Sequence, residues 1–179
     1  MSQLKNPKKL AKLLTQNIMI FHDTADYSGL GNNSNLLLLE MGYSKSLSRQ
    51  IANLIKKIYI VYDKAHEERT KNNLAKEKEF YARAKRYAKK INEISTDKND
   101  SQILVDIVIN WRHGNKITAL LKFFKFWNNS LSIINALKAS YHQLRAAYSH
   151  DKRNIKDFEY HFLKIYNLLL KQNKLPILF

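Results

Sequence analysis

The chain has 179 residues, no cysteine, four glycines and two prolines, and 45% of it is apolar. That length suits one domain with a real core, and the composition excludes disordered, disulfide-stapled, collagen-like and thiolate-metal classes. The balance of 31 basic and 15 acidic residues leaves a net charge of +16, which favours phosphate-bearing partners through counterion release and steering.

The excess is spread along the chain. Residues 1–60 hold eight basic and three acidic groups, residues 61–98 eleven and seven, and residues 99–179 twelve and five. A folded basic surface fits this better than a basic tail. An AT-rich coding sequence would also raise Lys, Asn and Ile over Arg, and then the charge would serve solubility alone. No stretch reaches the roughly 18 uninterrupted apolar residues of a membrane span, so no membrane partner is expected. The N-terminal "MSQLKNPKKLAKLL" reads as a helix and not a signal peptide, because Lys12, Thr15, Gln16 and Asn17 break its apolar run. With no cysteine, the composition fits a reducing, cytoplasmic setting.

Nearly every segment carries a helical period. Pro7 can open a first helix with Asn6 as its cap, and Leu10, Leu13, Leu14, Ile18 and Phe21 form one stripe. "HDTADYSGLGNN", His22 to Asn33, reads as the longest loop. Asn33 or Ser34 can then cap a short helix to Met41, and Gly42 suits a left-handed helix end. Ser44 can cap the next helix at Leu47, whose inner face is Leu47, Ile51, Leu54, Ile55 and Ile58.

Lys45 to Lys98 contains no Gly or Pro. It reads as one long helix or as a hairpin turned near "AHEERTKNN". Its second part has Phe80, Ala84, Tyr87, Ile91 and Ile94 on one stripe, with Lys78, Arg83, Lys85, Arg86, Lys89 and Lys90 largely off it. "STDKNDS", Ser95 to Ser101, is a break. Further helices follow around Ile103–Trp111, ended by Gly114, then to Trp127, then Leu131–Ser149, then from Asn154. Pro176 makes the tail extended. The expected fold is all-α, with an N-terminal helix-turn-helix region over 1–60 and a four- to five-helix bundle over 61–179, or one continuous domain.

Three constellations bear on function. Gly42-Tyr43-Ser44 joins two helices, and Lys45, Ser46, Arg49 and Gln50 then occupy the exposed start of the second. These types suit DNA: Arg pairs with guanine, Gln with adenine, and Lys and Ser hold phosphate. Asn33, eight residues, Gly42-Tyr43-Ser44-Lys45 and Arg49-Gln50 resemble the N-terminal segment of phage small terminase subunits. The resemblance covers about 25 residues and departs where Leu37, Leu38 and Met41 replace small alanines. It implies duplex DNA binding through a helix-turn-helix, ring-like homo-oligomers and a role in phage DNA packaging or regulation.

The second constellation is Arg145 with His150 in "LRAAYSHD". An Arg-x4-His near a helix end is similar to the motif of HEPN ribonucleases. The resemblance implies metal-free RNA cleavage across a dimer, in a toxin or defence protein, with Arg145 holding phosphate and His150 moving a proton. Position 146 is Ala, where that family carries a polar residue.

The third reading is a helical interaction scaffold. No metal or cofactor is expected. His66-Glu67-Glu68 lacks the second His of a zinc-protease helix, His142 and His161 show no ligand spacing, and "GLGNNS" lacks the Lys of a phosphate loop. Phe123, Phe124, Phe126 and Trp127 can stack bases but fit a core better. The leading expectation is nucleic-acid binding, DNA before RNA, with Lys45, Ser46, Arg49 and Gln50 at the interface and the 78–90 basic face on phosphates.

Overall fold

The computed structural model describes residues 6–95, 100–170 and 175–179, which are helices joined by short turns and an extended tail, with no strand among them. The helices are α1 (Pro7–Thr15), α2 (Tyr27–Glu40), α3 (Lys45–Thr70), α4 (Leu74–Ser95), α5 (Ser101–Arg112), α6 (Lys116–Asn128), α7 (Ile133–Asp151) and α8 (Ile155–Leu169). A π-helical turn, Gln16–Phe21, continues α1. Each helix packs on its neighbours in sequence, and α8 returns onto α1, closing the circuit. One cluster of buried side chains runs through it, from Leu10 to Leu178. The boundary expected at residue 60 falls inside α3, which is unbroken there.

Local chemistry sets the ends. The Asn6 side chain accepts from the Lys8 and Lys9 amides, with Pro7 in the first turn. Ser44 accepts from Leu47 N at 3.4 Å, and Asn154 accepts from Asp157 N at 3.2 Å. Gly42 (φ 95°) and Gly114 (φ 80°) take the left-handed conformation that closes α2 and α5, where a Cβ would be strained. The long helical stretch is a hairpin turned at Lys71–Asn73, with Asn72 also left-handed at φ 56°. Residues 96–99, most of the break read between α4 and α5, lie outside the described residues. The expected basic-helix stripe is rotated slightly. Glu77, Tyr81, Ala84, Ala88 and Ile91 are buried, while Phe80, Tyr87 and Ile94 flank them. Phe123, Phe126 and Trp127 are core. The tail is extended, with Leu175, Ile177 and Leu178 buried.

The largest departure is at His22–Asn33. Only residues 22–26 turn; α2 starts at Tyr27, capped by Asp26, which accepts from Gly29 N at 2.9 Å. Asn33 and Ser34 are therefore buried mid-helix residues and not caps. Their polarity belongs to an internal network. Asn33 Nδ2 donates to Leu13 O (2.7 Å) and Asn17 Oδ1 (2.8 Å), and Asn17 Nδ2 donates to Ser34 Oγ (2.9 Å). A satisfied buried network looks like a loop in composition but folds as core.

The extra length of α2 sets its packing. The Tyr27 hydroxyl donates to Asp63, and Gly31 lies against Lys56. Residue numbers thus fall along α2 as they rise along α3, so the two helices form an antiparallel hairpin. The helix, Gly42–Ser44 turn and helix expected there are present, and the 14 residues of α2 let it lie along its partner.

The two α2 glycines separate in their consequences. A Cβ on Gly29 would stand 2.3 Å from Asp26 Oδ2 and 2.7 Å from Phe21 Cε1. Gly29→Ala is expected to lower stability by about 1–3 kcal/mol through overpacking. A Cβ on Gly31 meets only Lys56 Cδ at 3.5 Å, so Gly31→Ala should raise stability by about 0.5–1 kcal/mol. Urea denaturation of both variants checks this, and equal effects would contradict the packed helix.

A second prediction concerns pH. His142 Nδ1 and His161 Nδ1 face each other at 3.0 Å between α7 and α8. Burial lowers both imidazoles, and the charge of His161 lowers His142 further. The unfolded chain then takes up protons first as pH falls below about 6.5. Stability is complete above that pH and is lost below it. The melting temperature should fall from pH 7 to pH 5, and His161→Phe should flatten the slope; an unchanged slope would contradict the assignment.

Candidate functional site

Lys45, Ser46, Arg49 and Gln50 are all exposed on the first two turns of α3. Gln50 and Lys57, two turns apart on α3, share a side, and Lys57 Nζ lies 5.9 Å from the Tyr87 ring of α4. Arg83 and Lys90 flank Tyr87 at helical spacing, so the exposed stripes of the two helices meet in one surface. Lys78, Arg83, Arg86, Lys89 and Lys90 are exposed on α4, and Lys85 is half-buried.

The cations on this surface divide by their partners. Lys85 bonds Asp106 at 2.5 Å, Arg83 bonds Glu79 at 2.5 Å, and Lys89 lies 3.8 Å from Glu93. Among the described residues, Lys45, Arg49, Lys78, Arg86 and Lys90 enter no ion pair. Lys85 instead helps hold α4 to α5, since Asp106 also takes Lys122 at 3.0 Å. Burial pushes the Asp106 carboxyl up, but the bonds from Lys85 and Lys122 outweigh it and hold it below the ordinary value.

A cavity of about 160 Å³ lies inside the circuit, walled by Tyr59, Tyr62, Trp111, Phe158 and Phe162 among others. Its polar groups are His22, Arg112, Gln143 and His150. His22 leaves the π-helical turn, where its N–H bonds Asn17 O at 3.1 Å. His22 Nε2 bonds Asp63 Oδ1 at 2.9 Å, and Tyr27 donates to the other oxygen. Burial pushes the Asp63 carboxyl up, yet these two hydrogen bonds bring it below its ordinary value. Burial and the same carboxylate push the Tyr27 phenol up to about 12. Arg112 Nη1 donates to Tyr62 O at 3.1 Å and its guanidinium lies 5.5 Å from the Tyr62 ring. Burial holds His150 below the ordinary imidazole value, partly offset by Asp23; it is therefore neutral near pH 7 and can accept a proton.

Arg145 and His150 are not brought together within one chain. Five residues on a continuous helix turn the direction by about 140°. His150 faces the cavity, while Arg145 lines a separate surface cleft with Tyr148, Ser149, Lys152, Asn154 and Asp157. In that cleft Ser149 Oγ bonds Asp157. The sequence singled out neither the polar cavity residues His22, Arg112 and Gln143 nor Asp63, which holds His22 from outside the lining. Asp63 alone carried a signal, as an acid inside the apolar run "IYIVYD" of α3. Compared with known proteins, the chain matches no family model, no curated protein and no solved structure.

Proposed function

We propose that this protein binds nucleic acid, duplex DNA in preference to RNA, through the α3–α4 hairpin. The observation that carries the reading is the shared outer surface of the two helices, where exposed cations stand without acidic partners. Exposed Lys57 of α3 and Arg86 and Lys90 of α4 lie along it, while Lys45 and Arg49 stand about a quarter-turn round α3 at its N-terminal end and Lys78 lies on the Lys85 side of α4. At 26 residues, α3 is about 39 Å long, close to the roughly 34 Å of one turn of B-DNA. The hairpin thus has the reach to meet phosphates along a turn of duplex. Arg49 and Gln50 supply side chains that can address base edges, while the lysines neutralise phosphate.

The antiparallel packing of α2 on α3 shapes the expected mode. It favours backbone contact along the hairpin over deep insertion of a single recognition helix. Specificity is then modest and affinity depends steeply on salt. Packaging or regulation of phage DNA is the setting that the resemblance to small terminase subunits suggests. A ribonuclease using Arg145 and His150 would need a second copy to complete the pair, since one chain parts them.

Fluorescence anisotropy with a duplex oligonucleotide tests the reading. Affinity should fall linearly on a log–log salt plot. Arg49→Ala and Lys90→Ala should each weaken binding and reduce the slope by about 1 per lost phosphate contact. Arg145→Ala should leave both unchanged. Duplex binding indifferent to both hairpin substitutions would overturn it, and RNA cleavage in EDTA that His150→Ala abolishes would transfer the function to the ribonuclease reading.

A further inference from the structure

A second cluster of chemistry lies away from the cationic hairpin face, where the exit of the π-helical turn meets the end of α7. We propose that His22, Asp23 and His150 form a binding site for one divalent transition-metal ion of the zinc class, with Asp63 and Tyr27 as its outer shell. One donor atom from each of the three ligands lies within 4.8 Å of the other two. His22 Nδ1 is 3.8 Å from Asp23 Oδ1, and His150 Nε2 is 4.0 Å from the same oxygen. Both separations exceed hydrogen-bond reach, so neither imidazole bonds Asp23 directly. Bonds of about 2.0–2.1 Å in tetrahedral geometry put ligand atoms roughly 3.3 Å apart. Asp23 Oδ1 must approach the two rings by about 0.5–0.7 Å, and the ring nitrogens, within 4.8 Å of one another, must also draw together, which takes rotation of the histidine side chains as well as of Asp23.

The outer contacts set the ring orientations that metal binding needs. The Asp63 carboxylate can only accept, so His22 Nε2 carries the proton and its Nδ1 lone pair faces Asp23. Tyr27 fixes Asp63 in turn. His22 thus has a bonded carboxylate on the nitrogen away from the shared centre, the arrangement that orients metal-bound histidine. His150 turns Nε2 toward Asp23, while its Nδ1 lies 3.8 Å from Asp151, beyond hydrogen-bond reach. The nearest competing cation, Arg112, is engaged by Tyr62 O, and Lys116 lies on Asp151. Two histidines and one carboxylate suit zinc, cobalt or ferrous iron and not magnesium or calcium, which prefer oxygen. Three protein ligands also leave a coordination position open, beside the cavity that His22 and His150 line.

The site is independent of the nucleic-acid reading, because no ligand lies on the hairpin surface. The test is titration of chelator-stripped protein with Zn²⁺ by calorimetry, and with Co²⁺ by visible absorption. One equivalent should bind, with the d–d bands of low-coordinate Co²⁺, and millimolar Mg²⁺ should not compete. His22→Ala and His150→Ala should abolish the event, and Asp63→Asn should weaken it about 10–100-fold. His66→Ala, at an exposed residue of α3, should change nothing. A measurement on the unaltered chain guards against misfolded variants. Of its six histidines, Zn²⁺ should shift the ring resonances of His22 and His150 most. No binding at micromolar Zn²⁺, or shifts centred on His66, His113 or the His142–His161 pair, would overturn the proposal.

Discussion

One carboxylate, Asp63, ties the N-terminal third of the chain to the rest. It sits more than four turns into α3 and receives His22 from the end of the π-helical turn and Tyr27 from the start of α2. A half-buried acid with no partner would be costly; with two donors it is held ionised. Because those donors flank the turn at residues 22–26, the contact fixes where α2 begins and the direction in which it runs. The antiparallel lie of α2 on α3, the burial of Asn33 and the aim of His22 into the cavity all follow from that placement. The π-helical hydrogen bond from His22 N to Asn17 O belongs to the same device, since it rotates the chain exit toward α3.

The helical periods of the second half were legible because nothing competed with them. Phe158, Phe162, Ile165 and Leu169 recur at helical spacing and are buried, and Gly114 and Asn154 end and begin helices by simple backbone chemistry. The Gly42 turn and the Ser44 cap were legible for the same reason. Residues 27–34 were not. Two glycines, two asparagines and two serines signal a loop in any local reading, and only tertiary contacts reverse it. Gly29 is there because Phe21 and Asp26 crowd it. Asn33 is there because Leu13 O and Asn17 need its amide. Long-range satisfaction of polar groups leaves no periodic trace in sequence, so the polar half of the site was hidden while its apolar frame was not.

The candidate site residues divide in the same way. Exposure of Lys45, Ser46, Arg49 and Gln50 followed from the stripe opposite Ile51 and Ile55, which are buried. Pairing did not follow. That Lys85 bonds Asp106 of α5 requires knowing how α4 meets α5, and this removes one cation from the free surface. Arg145 and His150 show the converse limit. Their spacing was visible, but the unbroken course of α7 turns one to the surface cleft and the other to the cavity.

Residues 45–95 hold 14 basic and six acidic groups, half of the net charge of +16, and α3 and α4 carry these cations outward, away from the polar network and the cavity that organise the interior. This division of labour is the central claim, and hydrogen–deuterium exchange with and without duplex DNA reads it most directly. The account predicts new protection at the N-terminal turns of α3 and along α4, with the cavity walls of α5, α7 and α8 unchanged. Protection concentrated on α7 and α8 instead, or none anywhere at saturating duplex, would contradict it.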